Sequence, residues 1–218
     1  MNTKTLSLSL ALLVGSLSYC YACSCMSTHP QNYYCFADFV ILARVKSFQK
    51  LETMQSLVYK VRIKKEFKIS EKGQVALKSG RIHTPIDSAM CGVNMKVGTL
   101  YVISGRIESL RAHTMMCDMI KEWKNLTRRQ RKGLRQMYKR GCSYCTVKRC
   151  LGWGAEKCDK GSKLKDFCKW NSNCQTNDGI CLRQANGSCN WNKNRQLNNC
   201  LKNSTLSHNR LHWMNYDF

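Results

Sequence analysis

This 218-residue sequence carries none of the short signatures of an enzyme. It has no Gly-x-Ser-x-Gly elbow, no His-Glu-x-x-His pair and no phosphate loop, which removes the usual grounds for assigning hydrolysis or phosphoryl transfer. His208-x-x-x-His212 has metal spacing on a helix but no evident third ligand, and His29, His83 and His113 form no spaced group. Acidic residues are scarce: 13 Asp and Glu stand against 36 Lys and Arg, for a net charge of +23. There is no internal repeat. Beyond the first 22 residues no segment is apolar enough to span a bilayer, which takes about 20 apolar residues.

Those first residues read as a secretory signal. Lys4 supplies a basic start, Leu6 to Val14 an apolar stretch, and Cys20-Tyr21-Ala22 a small-x-small cleavage site. Ser7, Ser9, Gly15, Ser16 and Ser18 interrupt the apolar stretch and argue against a retained anchor. Cleavage after Ala22 removes Cys20 and leaves an even number of the 15 cysteines, as complete pairing in an oxidising compartment requires. A cut after Ser18 leaves an odd cysteine. A cut after Cys20 keeps parity but places Tyr21-Ala22 before Cys23. The expected product is secreted and extracellular.

The cysteines divide the mature chain. Five are spread from Cys23 to Cys117, and nine crowd Cys142 to Cys200. This spacing predicts an N-terminal domain with a hydrophobic core, then a small domain held by disulfides. In such a chain Cys142-x-x-Cys145 reads as a staple before it reads as zinc or redox chemistry. The first domain reads mainly as short strands: Phe39 to Ala43, an alternating Leu57 to Ile63, Val75 to Leu77, Arg81 to Thr84, Leu100 to Ile103 ended by Ser104-Gly105, and Ala112 to Cys117. Five or six such strands point to a closed barrel or a sandwich. Thr127 is placed to N-cap a helix running to about Lys139 and ended by Gly141, with Gln130, Leu134, Met137 and Tyr138 on one stripe. From Cys142 the text is loop-rich, and the residues after Cys200 read as a flexible tail.

Cys23-Ser24-Cys25 sits at the predicted mature terminus. A free α-amine there has a reference pKa of about 8, so part of it is neutral at physiological pH and can donate to a metal. The Cys23 carbonyl offers a second ligand. A catalytic zinc in another protein keeps one position open for water, which such a chelator displaces. The plain structural alternative is that Cys23 and Cys25 are only the first staples of a secreted fold.

These residues resemble a known family. Cys23-Ser-Cys-Met-Ser-Thr-His-Pro-Gln31 followed by Cys35-Phe-Ala-Asp38 is similar to the amino terminus of the tissue inhibitors of metalloproteinases. Ser88-Ala-Met-Cys-Gly92 resembles their second contact loop. Trp123, Leu126-Thr127, Gln130, Leu134, Tyr138 and Gly141-Cys142 follow their helix pattern, and Cys181 with Gly187-Ser-Cys189-x-Trp191 matches their C-terminal domain. The resemblance implies a mainly β fold with flanking helices: a five-stranded OB-fold-like barrel (the netrin-like module) plus a small disulfide-rich C-terminal subdomain. The expected boundaries are 1–22 for the signal, 23–142 for the inhibitory domain, 143–200 for the subdomain and 201–218 for the tail. It implies the pairings Cys23–Cys91, Cys25–Cys117, Cys35–Cys142, Cys145–Cys189, Cys150–Cys158 and Cys168–Cys181. Cys174 and Cys200 remain to pair with each other.

The implied activity is inhibition of secreted or membrane-bound zinc metalloproteinases by a monomer with no cofactor of its own. Cys23 binds the target's zinc, Ser24 enters the specificity pocket, Cys25, Met26 and Ser27 continue along the cleft, and Ser88, Ala89, Met90 and Cys91 fill the other side. Several features depart from the family pattern. Lys46 to Ser56 is short, Asp87 and Met90 bear on selectivity, and the tail lacks the acidic run that some members use to hold a proenzyme. The alternative is a non-inhibitory netrin-like protein that binds heparan sulfate, extracellular matrix or a receptor. Nine Lys or Arg between Lys121 and Arg140 favour it, with Arg128, Arg129, Arg131 and Lys132 as the candidate polyanion site. In a secreted chain this charge does not point to nucleic acid. Asn125, Asn186 and Asn203 begin glycosylation sequons.

Overall fold

The computed structural model describes residues 23–150 and 166–214. The signal reading of 1–22 and Cys158, expected to bridge Cys150, lie outside them. Within the described residues the chain is mainly β sheet with helices and several disulfides.

Strands β1 (Phe39–Leu51) and β2 (Ser56–Ile69) form a long antiparallel hairpin. Strands β3 (Arg81–Pro85), β4 (Leu100–Glu108), β5 (Arg111–His113) and β6 (Ile120–Glu122) complete a sheet in the order β1-β2-β3-β5-β4-β6. Strand β1 also pairs with β4, so five strands return on themselves in a ring, and β6 is added outside β4. The β3–β5 pairing is parallel and the others are antiparallel.

The unbroken apolar run at the start of β1 has a physical cause. Phe39, Ile41, Ala43 and Val45 face the interior of the ring with Tyr59, Ile82 and Ile103. Val40 and Leu42 face outward into a second core with Tyr34, Leu134, Tyr138 and Ile180. Both faces of the strand are covered, so neither can be polar. Strand β2 buries Leu57, Val58 and Tyr59 together, then alternates, with Val61 buried between exposed Lys60 and Arg62.

The helices are α1 (Pro30–Phe36), α2 (Glu71–Leu77), α3 (Arg128–Lys132), α4 (Tyr138–Cys142), α5 (Asn173–Asp178) and α6 (Arg195–Met214). A π-helical turn, Gly133–Met137, joins α3 to α4. Thr127 caps α3, as the sequence predicts, and forms a full capping box with Gln130. The stripe of Gln130, Leu134 and Tyr138 is buried.

Several expectations change. Val75 and Leu77 are helical, because Ser70 caps α2 by accepting from the Gly73 amide. Gly73, Ala76 and Leu77 are its buried face, at helical spacing, while Val75 is exposed. Strand β4 does not stop at Ser104-Gly105 but runs to Glu108. Gly105 lies where β1, β4 and β5 crowd: a Cβ there would stand 2.0 Å from the His113 carbonyl oxygen and 2.6 Å from the Phe39 ring. Its glycine marks close approach, not a turn. Leu201 to Met214 lies within α6.

The C-terminal region is also more regular than loop-rich text predicts. Strands β7 (Thr146–Arg149) and β8 (Phe167–Trp170) pair in parallel, and β9 (Cys181–Arg183) forms a hairpin with β10 (Cys189–Trp191). Cys145–Cys189, Cys168–Cys181 and Cys174–Cys200 are bridged there. Cys35–Cys142 ties α1 to α4.

Candidate functional site

Cys23 bonds to Cys91 and Cys25 to Cys117, each with a Cα separation of 5.2 Å. The four sulfur atoms lie within 4.8 Å of one another. All four belong to disulfides, so no thiolate is available to hold a metal. Any ligand from Cys23 has to come from its backbone. Residues 23–28 form no regular secondary structure, and the two bridges fix their path. Ser24, Met26 and Ser27 point outward, with Met26 70% exposed.

The second segment is a 3-10 turn, Ser88–Met90. Asp87 builds it. Its Oδ1 accepts from the Ala89 amide at 3.0 Å, and its carbonyl accepts from the amides of Met90 and Gly92. A Cβ on Gly92 would stand 2.2 Å from the Pro85 carbonyl oxygen, so only glycine lets the loop return this tightly. Cys91 sits in the left-handed region with φ 64°. Ser88, Ala89 and Met90 are exposed. The hairpin tip backs this loop: the Ile86 amide donates to the Gln55 carbonyl at 3.0 Å. Phe48, Leu57, Tyr59, Ile86 and Val93 line a groove beside it.

A third segment, not anticipated from sequence, joins them. The Met116 amide donates to the Cys91 carbonyl at 2.8 Å. Asp118 closes this turn, its Oδ2 accepting from the Met115 amide at 2.9 Å. Burial raises the Asp118 pKa. The edge therefore consists of 23–27, 87–91 and 115–117, cross-tied by two bridges and one backbone hydrogen bond.

Behind the edge, the first turn of α1 is anchored to the C-terminal region. Gln31 exchanges two hydrogen bonds of 2.9 Å with the Cys181 backbone, and Asn32 exchanges two of 2.6 and 3.1 Å with the Val147 backbone. His29 is fully buried, with Trp170 and Trp191 ring centroids 5.9 and 5.3 Å away. Its Nδ1 accepts from the Gln31 amide, which leaves Nε2 to donate to the Gln175 carbonyl at 3.0 Å. Burial pushes its pKa down to about 4, so the ring is neutral. Sequence reading saw His-Pro-Gln only as a motif; its polar side chains have their partners about 150 residues away.

The four residues of the candidate polyanion site differ in their surroundings. Arg128 and Lys132 are exposed, but Arg129 donates to Asn192 Oδ1. Arg131 donates to the carbonyls of Trp123 and Lys124 and lies 4.9 Å over the Trp123 ring. Another set of cations is opposed across the sheet: Arg44 faces Arg62, and Lys60 faces Arg81. Asn125, Asn186 and Asn203 are all exposed. His208 and His212 fall on α6 beyond the residues whose side chains are described.

A family model described as tissue inhibitor of metalloproteinase matches residues 21–191. The chain is 35% identical over 193 residues to a Drosophila melanogaster protein named tissue inhibitor of metalloproteinase, covering 84% of this chain and 87% of that one. It is 31% identical over 216 residues to human metalloproteinase inhibitor 2, covering 87% and 90%. It is 32% identical over 205 residues to metalloproteinase inhibitor 3 of Scyliorhinus torazame, again covering 87% and 90%.

Proposed function

This chain belongs to the tissue inhibitor of metalloproteinase family, and from that premise we propose that it is a secreted, monomeric inhibitor of zinc metalloendopeptidases of the matrix metalloproteinase and related metzincin type. Members of the family inhibit proteases and are not enzymes themselves. The five-strand ring is then the OB-type barrel of a netrin-like module, with 23–142 as the inhibitory domain, 143–200 as the subdomain and 201–218 as the tail.

In this reading the mature chain begins at Cys23. Its amine nitrogen and carbonyl oxygen bind the zinc of the target and displace the water that the protease needs. Ser24 enters the pocket for the substrate residue after the scissile bond, where its small side chain fits many enzymes. Cys25, Met26 and Ser27 run along the cleft, and Ser88, Ala89, Met90 and Cys91 occupy the opposite side. The inhibitor presents no scissile bond at the zinc, so it is not turned over.

One observation carries the mechanism. Two adjacent bridges hold the Cys23 backbone beside the 87–91 loop while consuming its sulfur. Little ordering entropy remains to be lost on binding, and the backbone is the only metal ligand left. The test is one alanine added before Cys23. The extended protein should keep its melting temperature and lose inhibition by several orders of magnitude. Equal inhibition by both forms contradicts the chelation.

A second reading, compatible with the first, is supported by the opposed cations of β1, β2 and β3. Like charges directly opposite destabilise a sheet, and a bound polyanion such as heparan sulfate relieves them. Arg44→Gln with Arg62→Gln should lower the salt needed for elution from heparin more than Arg128→Gln with Lys132→Gln. Unchanged elution for both pairs removes this reading.

A further inference from the structure

Sulfur chemistry at the edge does not end with the disulfides. Met26 follows Cys25, Met90 precedes Cys91, and Met115-Met116 precede Cys117. The two bridges and the Met116–Cys91 hydrogen bond therefore gather four methionines around one spot. Their exposures are 70%, 42%, 41% and 44%, against 2% for Met95 and Met119 in the cores. Among the described residues Met54, in the β1–β2 turn and outside the 23–27, 87–91 and 115–117 segments, is the other highly exposed methionine.

We propose that Met26, Met90, Met115 and Met116 form an apolar, adaptable rim of the contact edge, and that their oxidation to sulfoxides by a peroxide switches the inhibitor off. The inference rests on the edge being the protease-binding surface, and it extends that surface to the 115–117 turn. Flexible thioethers fill irregular clefts and make many loosely specified apolar contacts, which suits an inhibitor with several targets. The same thioethers are the accessible reductants at this edge, because the four neighbouring cysteines have no thiol left to oxidise. In the step, the methionine sulfur donates an electron pair to one peroxide oxygen, the O–O bond breaks, that oxygen bonds to sulfur, and the other leaves as water. Sulfur is oxidised and peroxide reduced by two electrons. An apolar contact becomes a strong acceptor that the protease cleft has to bury without a donor.

The experiment compares the chain starting at Cys23 with a variant carrying Met26→Leu, Met90→Leu, Met115→Leu and Met116→Leu, a change close to volume-conserving. Both are treated with graded hydrogen peroxide, quenched, and assayed against a metalloproteinase catalytic domain, while peptide mass spectrometry locates each added oxygen. A Met54→Leu variant serves as control. The four methionines should gain oxygen before Met95 and Met119. The inhibition constant of the native and Met54→Leu proteins should rise by about tenfold or more in step with that oxidation, and the four-leucine variant should keep its own value. Full inhibition by protein carrying all four sulfoxides overturns the switch. Equal loss in the four-leucine variant also overturns it. Oxidation of Met95 and Met119 as fast as the four overturns the site, whatever the inhibition does. Untreated protein that inhibits no metalloproteinase contradicts the proposed function instead, which separates the two failures.

Discussion

Between Phe39 and Glu122 the interior is filled by Phe39, Ile41, Tyr59, Ile82 and Ile103, while the bridges Cys23–Cys91 and Cys25–Cys117 lie outside that core. Between Cys145 and Trp191 the bridges are the interior: Cys145, Cys168, Cys181 and Cys189 cluster with Val147 and are flanked by Trp170 and Trp191. The same covalent bond thus serves two purposes. In the first region it positions a surface segment that has no secondary structure of its own. In the second it replaces the apolar volume that a short chain lacks.

The comparison breaks most visibly if bridges are removed one region at a time. Cys25→Ser with Cys117→Ser should leave the strand core folded and weaken inhibition on the order of a hundredfold or more, because two or three freed residues cost about 1–2 kcal/mol each to reorder. Cys145→Ser with Cys189→Ser should cost about 2–5 kcal/mol of stability and leave the edge intact, so the protein inhibits normally below its lowered melting point. Inhibition assays paired with thermal melts distinguish the two. Equal loss of inhibition in both variants would erase the contrast.

The seam between the regions should be acid-sensitive. His29 is held down to about 4 from an ordinary 6.5 when folded, so between those values the unfolded chain binds a proton that the folded chain refuses. Stability is complete above pH 6.5 and should fall by about 3 kcal/mol as the pH drops toward 4. Trp170 and Trp191 flank the ring and report the change by fluorescence during denaturation at each pH. His29→Gln should lower stability at neutral pH and flatten this part of the profile.

A smaller effect belongs to the loop. Asp87→Ala removes the cap on the Ala89 amide and should weaken inhibition severalfold, with a cost of about 1 kcal/mol or less in global stability. Asp87→Asn, which keeps the acceptor, should restore most of it. If Asp87→Asn fails as badly as Asp87→Ala, the carboxylate's charge is needed and its capping geometry is not the reason.

How legible these features are in the sequence follows the same division. Phe39 to Ala43 announces a covered strand because five consecutive apolar residues leave no exposed face. Thr127 and Gln130 announce a cap because their partners are three residues apart. Val75 and Leu77 mislead because two apolar residues at alternating positions look like a strand, while the Ser70 cap and the spacing of Gly73, Ala76 and Leu77 select a helix. Ser104-Gly105 misleads because a glycine demanded by the Phe39 ring looks like one demanded by a turn. The chemistry of Cys23 is legible as an amine and a carbonyl. Its surroundings are not, since the tie from Met116 to Cys91 and the anchoring of His29 by Gln175 depend on contacts distant in the chain. Arg129 and Arg131 read as free charge for the same reason: Asn192 and the Trp123 carbonyl are their partners only after folding.

The central claim is that the Cys23 backbone, and no side chain, meets the zinc of the target. A crystal structure of the chain beginning at Cys23 bound to a zinc metalloproteinase catalytic domain tests it directly. The account predicts the Cys23 nitrogen at about 2.0–2.1 Å from the zinc, its carbonyl oxygen as a second ligand, and no water in that position. A complex in which the zinc keeps its water and the Cys23 nitrogen lies outside the coordination shell would contradict it.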